Sequence, residues 1–102
     1  MKSFSKKVAV ITGAGSGMGR YIAVLLAKAG ADVAICEINQ TTLAETEQMV
    51  KVYPVNVSSH VLDVADKAAI DALPAQVIEQ HGHVSKILTP KMTFMKQVRA
   101  AF

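Results

Sequence analysis

Lys7-Val8-Ala9-Val10-Ile11-Thr12, followed at once by Gly13-Ala14-Gly15-Ser16-Gly17-Met18-Gly19, is the stretch that decides the fold. From Val8 onward the first segment is apolar or β-branched. It is too short for a helix and stops at a glycine. That pattern suits a strand buried on both faces, as in a parallel sheet. After the glycines the period changes. Met18, Ile22, Leu25, Leu26 and Ala29 fall on one face of a helix. Lys28 lies in its last turn, and Gly30 stands where a glycine stop belongs.

Working outward, Asp32-Val33-Ala34-Ile35-Cys36 reads as a second buried strand ending at Glu37. Asn39 to Val50 reads as a helix capped by Asn39 or Thr41, with Leu43, Thr46 and Val50 as its inner face. His60-Val61-Leu62, ending at Asp63, reads as a third strand. Ala65 to Gln80 is helical in pattern, with Ile70, Leu73 and Val77 on one side. Pro74 should kink this helix or delay its start, and Gly82 should close it. Strands alternating with helices imply parallel pairing through crossovers. The expected fold is α/β: a Rossmann-like three-layer αβα arrangement around a partial parallel sheet of three to four strands, with a C-terminal helix.

Composition removes several classes. The single cysteine, Cys36, rules out an internal disulfide, so a reducing, cytoplasmic setting is expected. The longest apolar stretch, Tyr21 to Ala27, falls far short of the roughly 20 residues of a membrane span. The net charge is +3, but Lys86, Lys91, Lys96 and Arg99 supply it. Upstream of Ser85, seven bases meet eight acids. A basic tail without interleaved aromatics is no nucleic-acid motif, so neither a nucleic-acid nor a membrane partner is expected.

The glycine turn suits a phosphate. The first turn of a helix has backbone N–H groups without intrahelical partners and a partial positive charge. Glycines let the chain turn sharply and let an anion approach. Gly-x-Gly-x-x-Gly does not match, and neither does the phosphate-loop pattern. Thr-Gly-x-x-x-Gly-x-Gly does match, at Thr12, Gly13, Gly17 and Gly19. In its strand-turn-helix setting this motif resembles that of the short-chain dehydrogenase/reductase family. Glu37 lies 20 positions after Gly17, where the resemblance implies a carboxylate on the adenosine ribose. Such a group repels a 2′-phosphate and favours NAD over NADP. No base adjoins Glu37, and Ser16 stands where NADP-preferring relatives often carry one. Asp63-Val64 is similar to the family's adenine-contacting pair, with Ile38 on the adenine face. The resemblance thus implies cofactor contacts from Gly13, Ser16, Gly17, Met18, Gly19, Glu37, Ile38, Asp63 and Val64.

The resemblance runs from about Lys6 to Val84. Beyond it the family carries an Asn-Asn-Ala-Gly motif, a serine and a Tyr-x-x-x-Lys pair whose tyrosine is the general acid or base. Here Val84-Ser85-Lys86-Ile87-Leu88-Thr89-Pro90 follows instead, though Ile87 and Leu88 could imitate part of a fourth strand. Leu25 stands four residues after Tyr21, and Val57 four after Tyr53. No catalytic residue carries over. Two parts are therefore expected: a nucleotide-binding half-domain over 1–84 and a divergent basic tail over 85–102. In the tail Thr89 and Pro90 could start a helix carrying Met92, Met95, Val98 and Phe102. The expected function is the NAD(P)-binding portion of a dehydrogenase whose complete form moves a hydride between nicotinamide and an alcohol or carbonyl. The alternative is a truncated, non-catalytic dinucleotide- or partner-binding product. Missing strands would leave the first strand or a short fourth strand as an exposed edge, which predicts self-association. His81-Gly82-His83 reads as a turn rather than a metal site, and Cys36 as an inert buried thiol.

Overall fold

The protein is described by a computed structural model over residues 6–88. The order is β1 (Val8–Thr12), α1 (Gly17–Lys28), β2 (Asp32–Glu37), α2 (Gln40–Val50), β3 (Val57–Val61), α3 (Lys67–His81) and β4 (Lys86–Leu88). The sheet order is β3-β2-β1-β4, with every neighbouring pair parallel. This is the Rossmann-like αβα arrangement expected from the alternation of strands and helices. The tail beyond Leu88, including the proposed helix with Met92, Met95, Val98 and Phe102, lies outside the described residues.

Strand β1 is buried along its whole length, as its unbroken apolar pattern requires. Alternate residues feed two cores. Ala9, Ile11, Val33 and Ile35 pack with Ile22, Ala23, Leu26, Leu43 and Val50 of α1 and α2. Val8, Val10, Ala34 and Cys36 pack on the other face with Leu73 and Val77 of α3. The period-2 alternation of a strand thus places helices on both sides of the sheet.

Three expectations are corrected. The inner face of α1 is Gly19, Ile22, Ala23, Leu26 and Ala27, whereas Met18 is about half exposed. Small residues at Gly19, Ala23 and Ala27 let the helix settle close to the sheet, and this close approach outweighs the burial of Met18. Strand β3 begins at Val57 and ends before Leu62. It is an edge strand with a half-exposed burial pattern, so it tolerates Ser58 and Ser59 where an interior strand would not. Its start is held by Asp32, whose carboxylate accepts from the backbone N–H of Asn56 (2.9 Å) and from its side-chain amide (3.2 Å). Helix α3 starts at Lys67 because Asp66 caps it, accepting from the Ala69 N–H at 3.3 Å. Pro74 is accommodated inside that helix.

Other expectations match closely. Asn39 caps α2, and Leu43, Thr46 and Val50 are its buried residues. Gly30 and Gly82 both adopt positive φ, at 101° and 90°. Of the two strands expected as an open edge it is the fourth: among the described residues β1 lies inside the sheet, and β3 and β4 are at its edges.

Two substitutions test the phase of α1. Leu26→Ala removes a fully buried side chain and is expected to cost about 2–5 kcal/mol. Met18→Ala, off the packed face, should change stability by no more than about 0.5 kcal/mol. Urea unfolding of the two variants checks the order; equal losses would return Met18 to the core.

Candidate functional site

The C-terminal ends of β1, β2 and β3 lie side by side because the strands are parallel, and each opens into a loop at the same edge of the sheet. The β1 loop is the glycine turn. Gly13 and Gly17 adopt positive φ, 66° and 57°, a region closed to most side chains. A Cβ at Gly19 would collide with the Gly13 carbonyl and press on the Ala14 Cα. The constraint on Gly19 is therefore contact with the turn itself just beyond β1, a sharper reason than general closeness to the strand. A Cβ at Gly17 would meet nothing within 4 Å, so that side of the turn is open. No side-chain hydrogen bond caps the start of α1 at Ser16, and its first turn carries no acid. The turn therefore offers backbone donors and a helix N-terminus to an anion, as a phosphate requires.

The turn is tied down from several directions. The Ala14 N–H donates to the Cys36 carbonyl at the end of β2 (2.9 Å). The Thr46 hydroxyl donates to the Ala14 carbonyl (2.7 Å). Arg20 reaches over from α1: its Nε donates to the Thr46 hydroxyl (2.9 Å), and its Nη2 donates to the carbonyls of Gly15 (2.5 Å) and Thr42 (3.2 Å) and to the Glu45 carboxylate (3.0 Å). Arg20 was not among the residues singled out in the sequence, and Thr46 was named there only for the inner face of α2. Thr46 did carry a signal, since a threonine on the buried face of α2 needs a partner.

Glu37 lies at the end of β2 and turns back toward the glycines. Its Oε1 accepts from the Gly15 N–H (2.9 Å), and its Oε2 from the N–H groups of Ile38 (3.0 Å) and Asn39 (3.4 Å). The Glu37 carbonyl accepts from the Leu62 N–H (3.2 Å), drawing the β3 loop alongside. There Asp63 stabilises its own turn, with Oδ1 accepting from the Ala65 N–H (2.9 Å). Gly13, Glu37, Ile38, Leu62, Asp63 and Val64 line one cleft of about 70 Å³. Ile38 and Val64 are both more than half exposed there. Ser16, Gly17 and Met18 are exposed around the start of α1, with Gly19 buried beneath them. Larger hollows lie elsewhere, one of about 520 Å³ along the outer face of α2, but they gather no comparable set from several loops.

Two other groups have structural explanations. Cys36 is fully buried, and burial pushes its thiol up to about 12, which keeps it from acting as a nucleophile. Ser58 lies within hydrogen-bond distance of His60 Nε2 (2.9 Å) and His81 Nε2 (2.7 Å). Among the described residues no group of three or more His, Cys, Asp or Glu side chains gathers as metal ligands. His83 faces the Lys6 carbonyl.

Comparison with known proteins fits this architecture. A model of the short chain dehydrogenase family matches residues 7–89. The chain is 40% identical over 83 residues to a short chain dehydrogenase/reductase of Aspergillus oryzae, covering 80% of this chain and 32% of that protein. Carveol dehydrogenase of Mycobacterium avium, solved in complex with NAD, superposes with a TM-score of 0.79 at 31% identity, over 85% of this chain and 36% of that one. L-Sorbose reductase of Gluconobacter frateurii, solved with NADPH and L-sorbose, gives 0.76 at 32% identity, over 83% and 33%. A parallel αβα sheet with a glycine turn at its carboxyl edge defines a nucleotide-binding protein of the doubly wound class. Within that class the chain belongs to the short-chain dehydrogenase family and is the NAD(P)-binding portion of such a protein. It spans about a third of the length of these relatives.

The two histidines on Ser58 set a pH dependence. Burial lowers the pKa of His60, reinforced by the neighbouring His81; burial also lowers that of His81, reinforced by His83 and opposed by Asp32. Depressed imidazoles bind protons less readily in the folded state than in the unfolded chain, whose value is about 6.5. Their contribution is therefore present above that value and lost as pH falls below it. Thermal unfolding should show a declining Tm on acidification from about pH 7 to 5. The decline should be shallower in His60→Gln/His81→Gln, and an unchanged slope would contradict the assignment.

Proposed function

We propose that this chain binds NAD across the carboxyl edge of β1, β2 and β3, in preference to NADP. The observation that carries the reading is the meeting of three loops. The donors of the glycine turn, the Glu37 carboxylate and the apolar pair Ile38 and Val64 all face one edge of the sheet, in the order in which a dinucleotide presents pyrophosphate, ribose and adenine. The residues fit the group: Gly17 is open on the side where a phosphate would approach, and nothing acidic lies in the first turn of α1. In this reading Gly13, Ser16, Gly17, Met18 and Gly19 hold the pyrophosphate. Glu37 accepts from the ribose hydroxyls, and Asp63 with Val64 and Ile38 frames the adenine.

The preference for NAD rests on Glu37. A fixed carboxylate repels a 2′-phosphate, and neither of its neighbours along the chain, Cys36 or Ile38, is a base. The two solved relatives divide between NAD and NADPH, so family membership alone leaves the preference open. The bound nicotinamide would supply hydride chemistry. We assign that chemistry, on an alcohol or carbonyl, to a complete dehydrogenase containing this portion. These 102 residues contain no Tyr-x-x-x-Lys pair, and the role assigned to them is to bind the dinucleotide. We place the nucleotide-binding unit in residues 1–84, with β4 adding one strand, and its setting in the cytoplasm.

NADH titration followed by fluorescence tests the reading. Saturable binding is expected in the wild type and in His81→Ala, which lies away from the cleft. Gly17→Asp should abolish it by placing a side chain in a strained φ region and a negative charge at the phosphate position. Equal binding by wild type and Gly17→Asp would remove the turn from the site.

A further inference from the structure

Gly15 is not one of the pattern glycines of Thr-Gly-x-x-x-Gly-x-Gly, and it is not among the glycines with positive φ. Its backbone conformation therefore does not call for a glycine. The space around it does. A Cβ at this position would stand 2.6 Å from both Cγ and Oε1 of Glu37, and closer still to the Thr42 hydroxyl. The Gly15 backbone has little freedom to retreat. Its carbonyl accepts from Arg20 Nη2 at 2.5 Å, while the same nitrogen also reaches the Thr42 carbonyl of α2. Its N–H holds Glu37 Oε1 at 2.9 Å. The Thr42 hydroxyl is the end of a short side chain, and Glu37 is met at both Cγ and Oε1, so an added methyl group forces the Glu37 side chain to shift along with that hydroxyl.

We propose that Gly15 is a specificity-determining residue for the cofactor: its missing side chain lets Glu37 fold back against the turn and stay there, and so sets the discrimination between NAD and NADP. The proposal rests on the reading of Glu37 as the ribose-facing acid. In the folded-back position one carboxylate oxygen is held by Gly15 and the other by Ile38 and Asn39. A carboxylate has about four acceptor directions; three are taken here, so one remains for a ribose hydroxyl while the side chain is restricted to one position. The ligand then meets an acid that is already ordered, and less conformational freedom is lost on binding. The same fixed charge stands against a phosphate ester on the 2′-oxygen. With alanine at 15 the carboxylate is displaced, and both effects weaken together while the pyrophosphate donors of Gly17 to Gly19 remain.

Affinities for NADH and NADPH, measured by fluorescence on the full chain, form the test. The variants are Gly15→Ala, Glu37→Ala and the double variant. Gly15→Ala should keep NADH binding but narrow the NADH-over-NADPH ratio by about tenfold, the scale of one hydrogen bond to a charged group. In the Glu37→Ala background the same substitution should leave the ratio unchanged, because the group it displaces is gone. A wild-type ratio in Gly15→Ala, or equal narrowing with and without Glu37, would overturn the proposal. Hydrogen exchange of the Gly15 amide reads the contact without altering residue 15: Glu37→Ala should speed it by about tenfold or more, and unchanged exchange would also overturn the proposal. The two levels separate cleanly. A wild type with no preference for NADH sinks the reading of Glu37; a wild type with that preference and an indifferent Gly15→Ala sinks only the role of Gly15.

Discussion

The contact of Gly19 with the backbone of Gly13 and Ala14 is the constraint on which the rest of the structure depends. With no Cβ in between, the first turn of α1 rests directly on the turn that leaves β1. That contact sets the position of the helix N-terminus above the ends of the parallel strands. It also selects the small residues Ala23 and Ala27 further along the same face, since a helix held this close at one end has little room for bulk along its length. A side chain at Gly19 would lift the helix and separate the donor-rich turn from Glu37 and from the β3 loop.

A second layer of interactions holds the turn from outside. Arg20 and Thr46 bind the backbone carbonyls of Gly15 and Ala14, and Cys36 accepts from the Ala14 N–H. These bonds satisfy backbone groups that a glycine-rich loop would otherwise leave to water. They also link the turn to α2, so the placement of Glu37 and the placement of the glycines are consequences of one network. A network of this kind holds the turn and Glu37 in one arrangement, and affinity is lost wherever binding must first freeze the protein.

Much of this was legible in the residues. Strands β1 and β2 announced themselves because interior parallel strands are apolar on both faces. The caps at Asn39 and the stops at Gly30 and Gly82 followed from local backbone chemistry. The cleft residues Gly13, Glu37, Ile38, Asp63 and Val64 could be named because the motif and its spacing bring three strand ends together. What could not be read were features governed by tertiary contact. An edge strand escapes the burial rule, so β3 hid its serines. The phase of α1 was set by small residues, whereas the pattern of large ones pointed to Met18. Arg20 carried no signal in the sequence, because its partners lie on α2 and in the turn. Gly15 resembled the other glycines, yet space next to Glu37, not backbone conformation, is what requires it.

The most direct test of the account is a map of where the dinucleotide lands. Titration of isotopically labelled protein with NAD, followed by amide chemical shifts, should move the resonances of the Gly13–Gly19 turn, of Glu37 and Ile38, and of Asp63 and Val64. Those along the outer face of α2 and around Ser58 should stay in place. Shifts centred on Ser58, His60 and His81, or on Gln40 to Gln48, with the glycine turn unmoved, would place the dinucleotide elsewhere and contradict the site.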